Sequence, residues 1–213
     1  MDLQQGIILY LILLGSLSVH EWAHAIVADK IGDPTPRSQD RVTLNPISHI
    51  DPIGTVLIPL FMILLSPGFA IFGWGKPVPV DPRNFSKPVR DDIWVSMAGP
   101  LSNLIIILLT VILTGIALRF GFSGEVIQLA ILVVSINAIL ILFNLLPIPP
   151  LDGSHVMKHL VGMRDETYYG IARYGFIIIL VLINIPAFRM LLGTGIAWMR
   201  DLSLNLIALI AGL

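Results

Sequence analysis

Long apolar stretches alternate with short polar loops along the whole chain. Charge-free runs cover residues 3–19, 52–75, 94–118 and 126–151, and shorter runs cover 174–188 and 202–213. A membrane-spanning helix needs about 20 mostly apolar residues. The pattern therefore predicts an all-α, multi-spanning integral membrane protein. Residues 94–118 and 126–146 are the clearest predicted spans, and the first helix is expected to end near Ala28.

Residues 52–75 are long enough to span, but Pro59 interrupts them and Ser66-Pro67-Gly68 is a strong turn signal. The loop before this segment carries three basic residues (Lys30, Arg37, Arg41), and the loop after it carries four (Lys76, Arg83, Lys87, Arg90). Because basic loops accumulate on the cytoplasmic side, this distribution favours a re-entrant hairpin with both loops cytoplasmic. A proline-kinked span is the alternative.

The predicted topology follows from these segments. Helix 1 enters from outside, residues 94–118 run outward, and 126–146 run back to a cytoplasmic loop that contains Lys158 and Arg164. Residues 174–188, together with their flanks, form a further candidate span, bent at Asn184-Ile185-Pro186. The stretch from Gly193 is either a short span or an interfacial helix. Because the chain shows no repeat or linker, we expect a single domain over residues 1–213 with its core at about 6–160.

Composition narrows the class of protein. The chain is 55% hydrophobic and 13% charged, with a net charge of −1 and a mean hydropathy of +0.86. These values exclude a disordered chain, a nucleic-acid binder and a typical cytosolic enzyme. Because the chain has no cysteine, any bound metal needs His, Asp or Glu ligands.

The sequence His20-Glu21-Trp22-Ala23-His24 lies at the end of the first helix. Residues four apart share a helix face, so both imidazoles can reach one metal ion, and Glu21 can take a proton from water at that metal. Ionisable groups next to an apolar span are expensive and usually functional. Two interfacial histidines with Glu21 reaching water are one alternative. Haem ligation by both histidines is another, and it leaves Glu21 unexplained.

A catalytic zinc takes three protein ligands, and Asp152 is the best candidate for the third. It follows Pro147, Pro149 and Pro150, which cannot continue a helix, so we expect extended backbone here. Non-helical backbone at membrane depth occurs where it is buried in protein or lines a wet cavity. The alternative is a simple helix-ending turn. Glu125, expected outside, and Glu166 are weaker candidates.

Several strings together resemble the site-2 proteases, zinc metalloproteases of peptidase family M50 that cleave within membranes. The resemblance covers roughly residues 15–160. It rests on His20–His24, on Leu44-Asn45-Pro46 with the stretch from His49 to Thr55, on Gly75-Lys76-Pro77-Val78-Pro79-Val80, on Ala98-Gly99-Pro100-Leu101-Ser102-Asn103, and on the stretch from Asn144 to Gly153.

The resemblance implies one zinc ion per chain, held by His20, His24 and Asp152, with Glu21 catalytic. It also implies that Asn144 helps to bind substrate or the developing oxyanion. The implied fold has a core of three helices, with the zinc inside the cell membrane near its cytoplasmic face and transmembrane proteins as substrates. We expect no PDZ domain and no cystathionine-β-synthase-type domain in a chain of this length. Ser154-His155 stands where many relatives have Gly-Arg.

Lys76, Pro77, Val78 and Pro79 are candidate substrate-binding residues. Proline confines a strand to a sheet edge, and an edge strand could pair with an unwound substrate. The alternative is an ordinary extended loop.

The remaining polar residues suggest supporting roles. His155 and His159 form a second i, i+4 pair, better suited to the cytoplasmic interface than to a metal. His49 and Asp51 lie in a proline-rich loop, where turn and capping chemistry competes with an approach to the active site. Asn103 is expected to hydrogen-bond across helices.

The leading hypothesis is an intramembrane zinc endopeptidase embedded in the bilayer, with no nucleic-acid partner. The alternative is a membrane metal-binding or transport protein that uses the same ligands without hydrolysis. Transport needs polar groups along a path across the bilayer, and the outer halves of the predicted spans supply few. An inactive scaffold that keeps the motif is a third possibility. The sequence specifies neither the substrate nor the oligomeric state.

Overall fold

The structure is a computed structural model that describes residues 3–65, 73–122 and 124–213. Within these ranges the chain is helical and contains no strand, which confirms the all-α prediction. The chain divides into two compact units, Met1–Gly99 and Pro100–Leu213. The expectation of a single domain stays a prediction.

The first unit is built around one long helix that carries the His-Glu motif. Its short turns begin with proline after Asn45, Asp51 or Asp81, whose side chains accept backbone N–H groups. The turn and capping interpretation of Asp51 is therefore confirmed. The unit contains α1 (Leu3–Lys30), α2 (Thr35–Ser38), 3₁₀ turns at Pro46–His49 and Pro82–Asn84, a π turn at Pro52–Leu57, α3 (Ile58–Leu65) and the start of α4 (Pro88–Arg119).

The second unit holds the larger apolar core. Ile107 and Val111 of α4 pack there with a row of small and branched residues from α5 and with Ile207 of α9. The helix α5 also packs along α9. The unit contains the rest of α4, then α5 (Glu125–Asn144), α6 (Asp152–Leu160), α7 (Asp165–Ala172), α8 (Gly175–Asn184) and α9 (Pro186–Ala211).

Among the residues that the structure describes, four helices, α1, α4, α5 and α9, are long and apolar enough to cross a membrane. The protein is therefore a multi-spanning membrane protein, and the two clearest predicted spans lie within α4 and α5. The predicted bend at Asn184-Ile185-Pro186 is confirmed, because α8 ends at Asn184 and α9 begins at Pro186. Ile185 is extended and separates α8 from α9, as expected for a residue before proline, and α7 and α8 meet at a bend of 56°.

The two ends of the segment 52–75 are in contact with each other. The Trp74 N–H donates to the Gly54 carbonyl (3.2 Å), and the Thr55 hydroxyl donates to the Trp74 carbonyl (2.7 Å). Gly54 is required here, because a Cβ would collide with the indole of Trp74. Ends that meet in this way fit the predicted re-entrant hairpin. The predicted turn at Ser66-Pro67-Gly68 lies outside the described residues.

Candidate metal centre

The α1 helix brings the two histidines of the motif together in a buried position. His20 and His24 are 3% and 8% exposed, and their Nε2 atoms lie 3.1 Å apart. The His24 Nδ1 is 2.7 Å from the Val95 carbonyl. Because a carbonyl only accepts, Nδ1 carries the proton, and Nε2 of His24 presents its lone pair toward His20.

Gly99 of α4 allows this pair to exist. A Cβ at this position would collide with the ring nitrogens of both His20 and His24. The backbone of α4 at Gly99 therefore lies directly against the imidazoles of the motif.

Glu21 is held by the proline-rich segment at 73–80. Its Oε2 accepts the backbone N–H of Val78 at 3.1 Å, and a Cβ on Gly75 would lie 3.4 Å from Oε1. The structure thus brings the predicted catalytic carboxylate and the predicted substrate-binding segment together. The segment is an extended loop, and the part of the chain that the structure describes offers it no strand partner.

Two residues that the sequence did not assign to the site hold this segment. The Arg41 guanidinium donates from Nη1 to the Pro77 carbonyl (3.0 Å) and from Nη2 to the Lys76 carbonyl. His49 accepts the Lys76 N–H at its own carbonyl (2.9 Å). The His49 loop therefore contacts the segment that lies beside Glu21, and its approach to an active site stays a prediction.

The His49 ring is oriented by its neighbours. Its Nε2 donates to the Thr43 carbonyl (2.8 Å), which leaves Nδ1 as the acceptor for Arg41 Nη2 at 3.3 Å. Burial lowers the pKa of His49, the Arg41 charge adds to this shift, and the Thr43 bond and the Glu21 charge oppose it. Burial also lowers the pKa of Arg41, whereas the Glu21 carboxylate opposes that shift.

A buried carboxylate fixes the far end of the same segment. Asp33 accepts from the Thr35 N–H (3.0 Å), the Asp81 N–H (2.8 Å) and the Asn84 amide (2.7 Å). Although burial raises the pKa of Asp33, these bonds and the Thr35 hydroxyl outweigh burial and hold it below its usual range. An isolated Asp in a loop gave no signal of this role in the sequence.

In the second unit, Asn144 and Asp152 lie at the two ends of the proline-rich connection. Asn144 is the last residue of α5, and its Nδ2 donates to the Leu140 carbonyl (2.9 Å). Asp152 is the first residue of α6. The predicted extended backbone between them is wrong. The Leu151 N–H returns to the Ile148 carbonyl (2.9 Å), so the prolines form turns.

The start of α6 is fixed by its neighbours. Gly153 packs so closely on the Leu145 backbone that a Cβ would collide with it. The Ser154 hydroxyl reaches the Leu151 carbonyl (2.5 Å) and the Tyr168 hydroxyl (2.9 Å). His155 packs on the Tyr168 ring. Within the described ranges, His155 and His159 belong to no group that could hold a metal ion.

Comparison with known proteins decides the family. The sequence model of Peptidase family M50 matches residues 8–183, most of the chain. The chain belongs to peptidase family M50. It is therefore a metalloprotease by family, and the prediction from the sequence motifs is confirmed.

Relatives of this M50 protein include "Putative zinc metalloprotease YwhC" of Bacillus subtilis, which is 41% identical over 198 residues. That match covers 89% of this chain and 84% of the relative. The proteins named "Putative zinc metalloprotease Rip2" of Mycolicibacterium smegmatis and Mycobacterium tuberculosis are each 29% identical, over 89% of this chain and 71% of the relative. No solved structure gives a significant match.

The two histidines fit the metal that the M50 family implies. Two nitrogen ligands of a tetrahedral zinc, each at 2.0–2.1 Å, lie about 3.3 Å apart, and the Nε2 atoms here lie 3.1 Å apart. A metal-bound histidine usually donates its other N–H to a carbonyl or carboxylate, as His24 does to Val95. This arrangement can hold a metal ion beside the Glu21 carboxylate.

Proposed function

We propose that this M50 protein is an intramembrane zinc endopeptidase that hydrolyses peptide bonds of transmembrane protein substrates. One observation carries the proposal. A buried pair of imidazole nitrogens 3.1 Å apart lies at the end of a membrane-length helix, with a carboxylate on the adjacent residue. The zinc metalloprotease names of YwhC and Rip2 support zinc as the metal.

In this proposal His20, His24 and Asp152 hold one zinc ion per chain. Zinc supplies Lewis acidity, which polarises a carbonyl and makes water a stronger acid. Glu21 takes the proton from the attacking water and returns it to the leaving amine. Asn144, at the end of α5, donates to the oxygen of the scissile carbonyl as negative charge develops there.

The segment Lys76, Pro77, Val78 and Pro79 is proposed to align the substrate. A peptide bond inside a helix is shielded by its neighbours, so the substrate must unwind before water can attack it. An extended segment beside Glu21 can hold unwound backbone near the reacting groups. The extended conformation at 73–80 and the contact between Val78 and Glu21 support this role.

The membrane setting of the site is also proposed. The motif lies in the last third of α1, and the loops after it carry most of the basic residues of the first unit. Because Lys and Arg are enriched in cytoplasmic loops, the metal centre lies toward the cytoplasmic face of the cell membrane.

Replacing Glu21 with glutamine tests the proposal. The change keeps the size of the side chain but removes the base, so we expect zinc content near one per chain and cleavage reduced by about 10³-fold or more. The matched control is Glu166→Gln, which removes an exposed carboxylate on α7 and leaves cleavage unchanged. Metal content and cleavage of single-span substrates are measured in the same detergent preparations.

Two results would overturn the proposal. Full cleavage by Glu21→Gln removes the assigned base. A well-folded wild type without metal removes the ground for metal catalysis. The transport alternative would be favoured by a third result. In that case the wild type binds zinc and carries metal across vesicle membranes but cleaves no substrate.

A further inference from the structure

The backbone chemistry of the segment at 76–80 is unusual because two of its residues lack an N–H group. Pro77 and Pro79 cannot donate hydrogen bonds, so Val78 carries the one amide donor between them. The Val78 N–H donates its hydrogen bond to Oε2 of Glu21 at 3.1 Å. Besides the Lys76 and Val78 amides, the carbonyl oxygens of residues 76–79 are the backbone groups through which this part of the segment can be held.

Arg41 supplies the donors that these carbonyls need. It is only 4% exposed, and its two terminal nitrogens bond the carbonyls of Lys76 and Pro77, the residues that precede Val78. A guanidinium presents several N–H donors in a fixed plane and can serve two acceptors at once, which a lysine ammonium cannot do with the same geometry. The His49 ring contacts the same Nη2 atom through Nδ1 at 3.3 Å.

We propose that Arg41 is a positioning residue of the active site, which fixes the Lys76 and Pro77 carbonyls and thereby sets the Val78 amide on the Glu21 carboxylate. The inference rests on the proposed role of Glu21 as the base. Arg41 acts through the segment. Its own hydrogen bonds go to the Pro77 and Lys76 carbonyls and to His49, rather than to Glu21.

A thiol reporter tests whether Arg41 holds the segment at 76–80, without any need for enzymatic activity. The chain has no cysteine, so Val78→Cys introduces a unique thiol next to the amide in question. The rate at which a maleimide alkylates this thiol is measured in detergent. The parent is Val78→Cys alone, and it is compared with Val78→Cys combined with Arg41→Gln, Arg41→Lys or Arg37→Gln. Arg37 is the matched control because it lies four residues before Arg41, in α2, is largely exposed, and its side chain pairs with Asp29.

Loss of the two carbonyl bonds frees the segment. We expect Arg41→Gln to accelerate alkylation by about 5-fold or more and Arg41→Lys to give an intermediate rate, whereas Arg37→Gln stays within about 2-fold of the parent. Equal rates for Arg41→Gln and Arg37→Gln would overturn the proposal. If Arg41→Gln does not fold, Arg41→Lys tests the proposal instead. An alkylation rate equal to that of the parent would show that the two-donor guanidinium is not needed to hold the segment.

Kinetics on the chain with native Val78 separate positioning from simple stabilisation. We expect Arg41→Gln to keep zinc but to lower kcat per zinc-loaded molecule by about 10-fold or more, with partial recovery in Arg41→Lys. A purely structural arginine would lower the yield of folded protein and leave kcat per loaded molecule unchanged, and that result would overturn the inference. If the wild type neither binds zinc nor cleaves, the proposed function fails, and the thiol rates still decide whether Arg41 holds the segment.

Discussion

At the scale of single residues, the close approach of the two imidazoles depends on a glycine, which has no side chain to displace them. Gly99 faces the imidazoles of His20 and His24, and a methyl group there would overlap both rings. Gly99→Ala must therefore push the two Nε2 atoms apart or rotate one of them away. We expect zinc affinity to fall by about 10–100-fold, the range seen when the surroundings of metal ligands are disturbed.

Competition with a chromophoric zinc chelator measures this loss. Gly170→Ala is the control, because Gly170 lies within α7 and a Cβ there meets nothing within 4 Å. Alanine favours a helix over glycine, so this variant keeps wild-type zinc affinity. Unchanged affinity in Gly99→Ala would show that the imidazoles do not meet the metal in the observed arrangement.

His49 gives a pH dependence of stability whose direction follows from its surroundings. Burial lowers the pKa of His49 below its ordinary value of 6.5, and the Arg41 charge adds to this, while the Thr43 carbonyl and the Glu21 charge oppose it. Between the folded-state pKa and 6.5 the unfolded chain binds more protons than the folded one. Stability is therefore fully present above about pH 6.5 and is lost as the pH falls below it.

Thermal unfolding of wild type and His49→Gln between pH 8 and pH 5 checks this direction. Glutamine can donate to Thr43 and accept from Arg41, but it does not titrate. We expect the wild type to be the more stable protein at pH 8 and its advantage to shrink as the pH falls to 5. An advantage that stays constant or grows on acidification would contradict the assignment of a neutral His49.

At the scale of elements, apolar length and motif spacing predict α4, α5 and the His-Glu helix, because each follows from local sequence. The connection between Pro147 and Pro150 shows the limit of such reasoning. Proline excludes helix there but does not choose between extended backbone and turns, and tight packing of Gly153 on Leu145 accompanies the turns. Likewise, the contact of Arg41 with the segment at 76–80 joins residues more than 30 positions apart, which no local pattern reveals.

One element contact predicted from sequence is directly measurable. Asn103 of α4 donates to the Asn137 side chain of α5 at 2.8 Å, and both residues are fully buried. Interhelical hydrogen bonds of this kind contribute about 0.6–2 kcal/mol in membranes. A double-mutant cycle with Asn103→Ala and Asn137→Ala should give a coupling free energy of unfolding in that range.

Thr110 provides the control for this cycle. Its hydroxyl bonds the Ile106 carbonyl within α4 itself, so Thr110→Ala combined with Asn137→Ala should be additive within about 0.5 kcal/mol. Additivity in the asparagine cycle as well would mean that the pair does not stabilise the packing of α4 on α5.

At the scale of the whole molecule, the distribution of charge predicts which loops lie on the same side of the membrane. The loops on both sides of residues 52–75 are basic, and the ends of that segment meet through Gly54 and Trp74. Both observations support the proposed topology, in which the two loops lie on one side of the membrane. In this proposed topology the connection between α4 and α5 lies on the other side, because α4 is long enough to cross once.

Single cysteines test this topology on a background that contains none. Ser38→Cys and Ser86→Cys mark the two basic loops, and Gly124→Cys marks the connection between α4 and α5. All three positions are exposed. A membrane-impermeant maleimide applied to intact cells should label Gly124→Cys alone, and lysis should expose the other two. Labelling of Ser38→Cys and Ser86→Cys on opposite sides would mean that residues 52–75 cross the bilayer. The reverse pattern at all three positions would place the metal centre toward the outer face, where the positive-inside argument does not allow it.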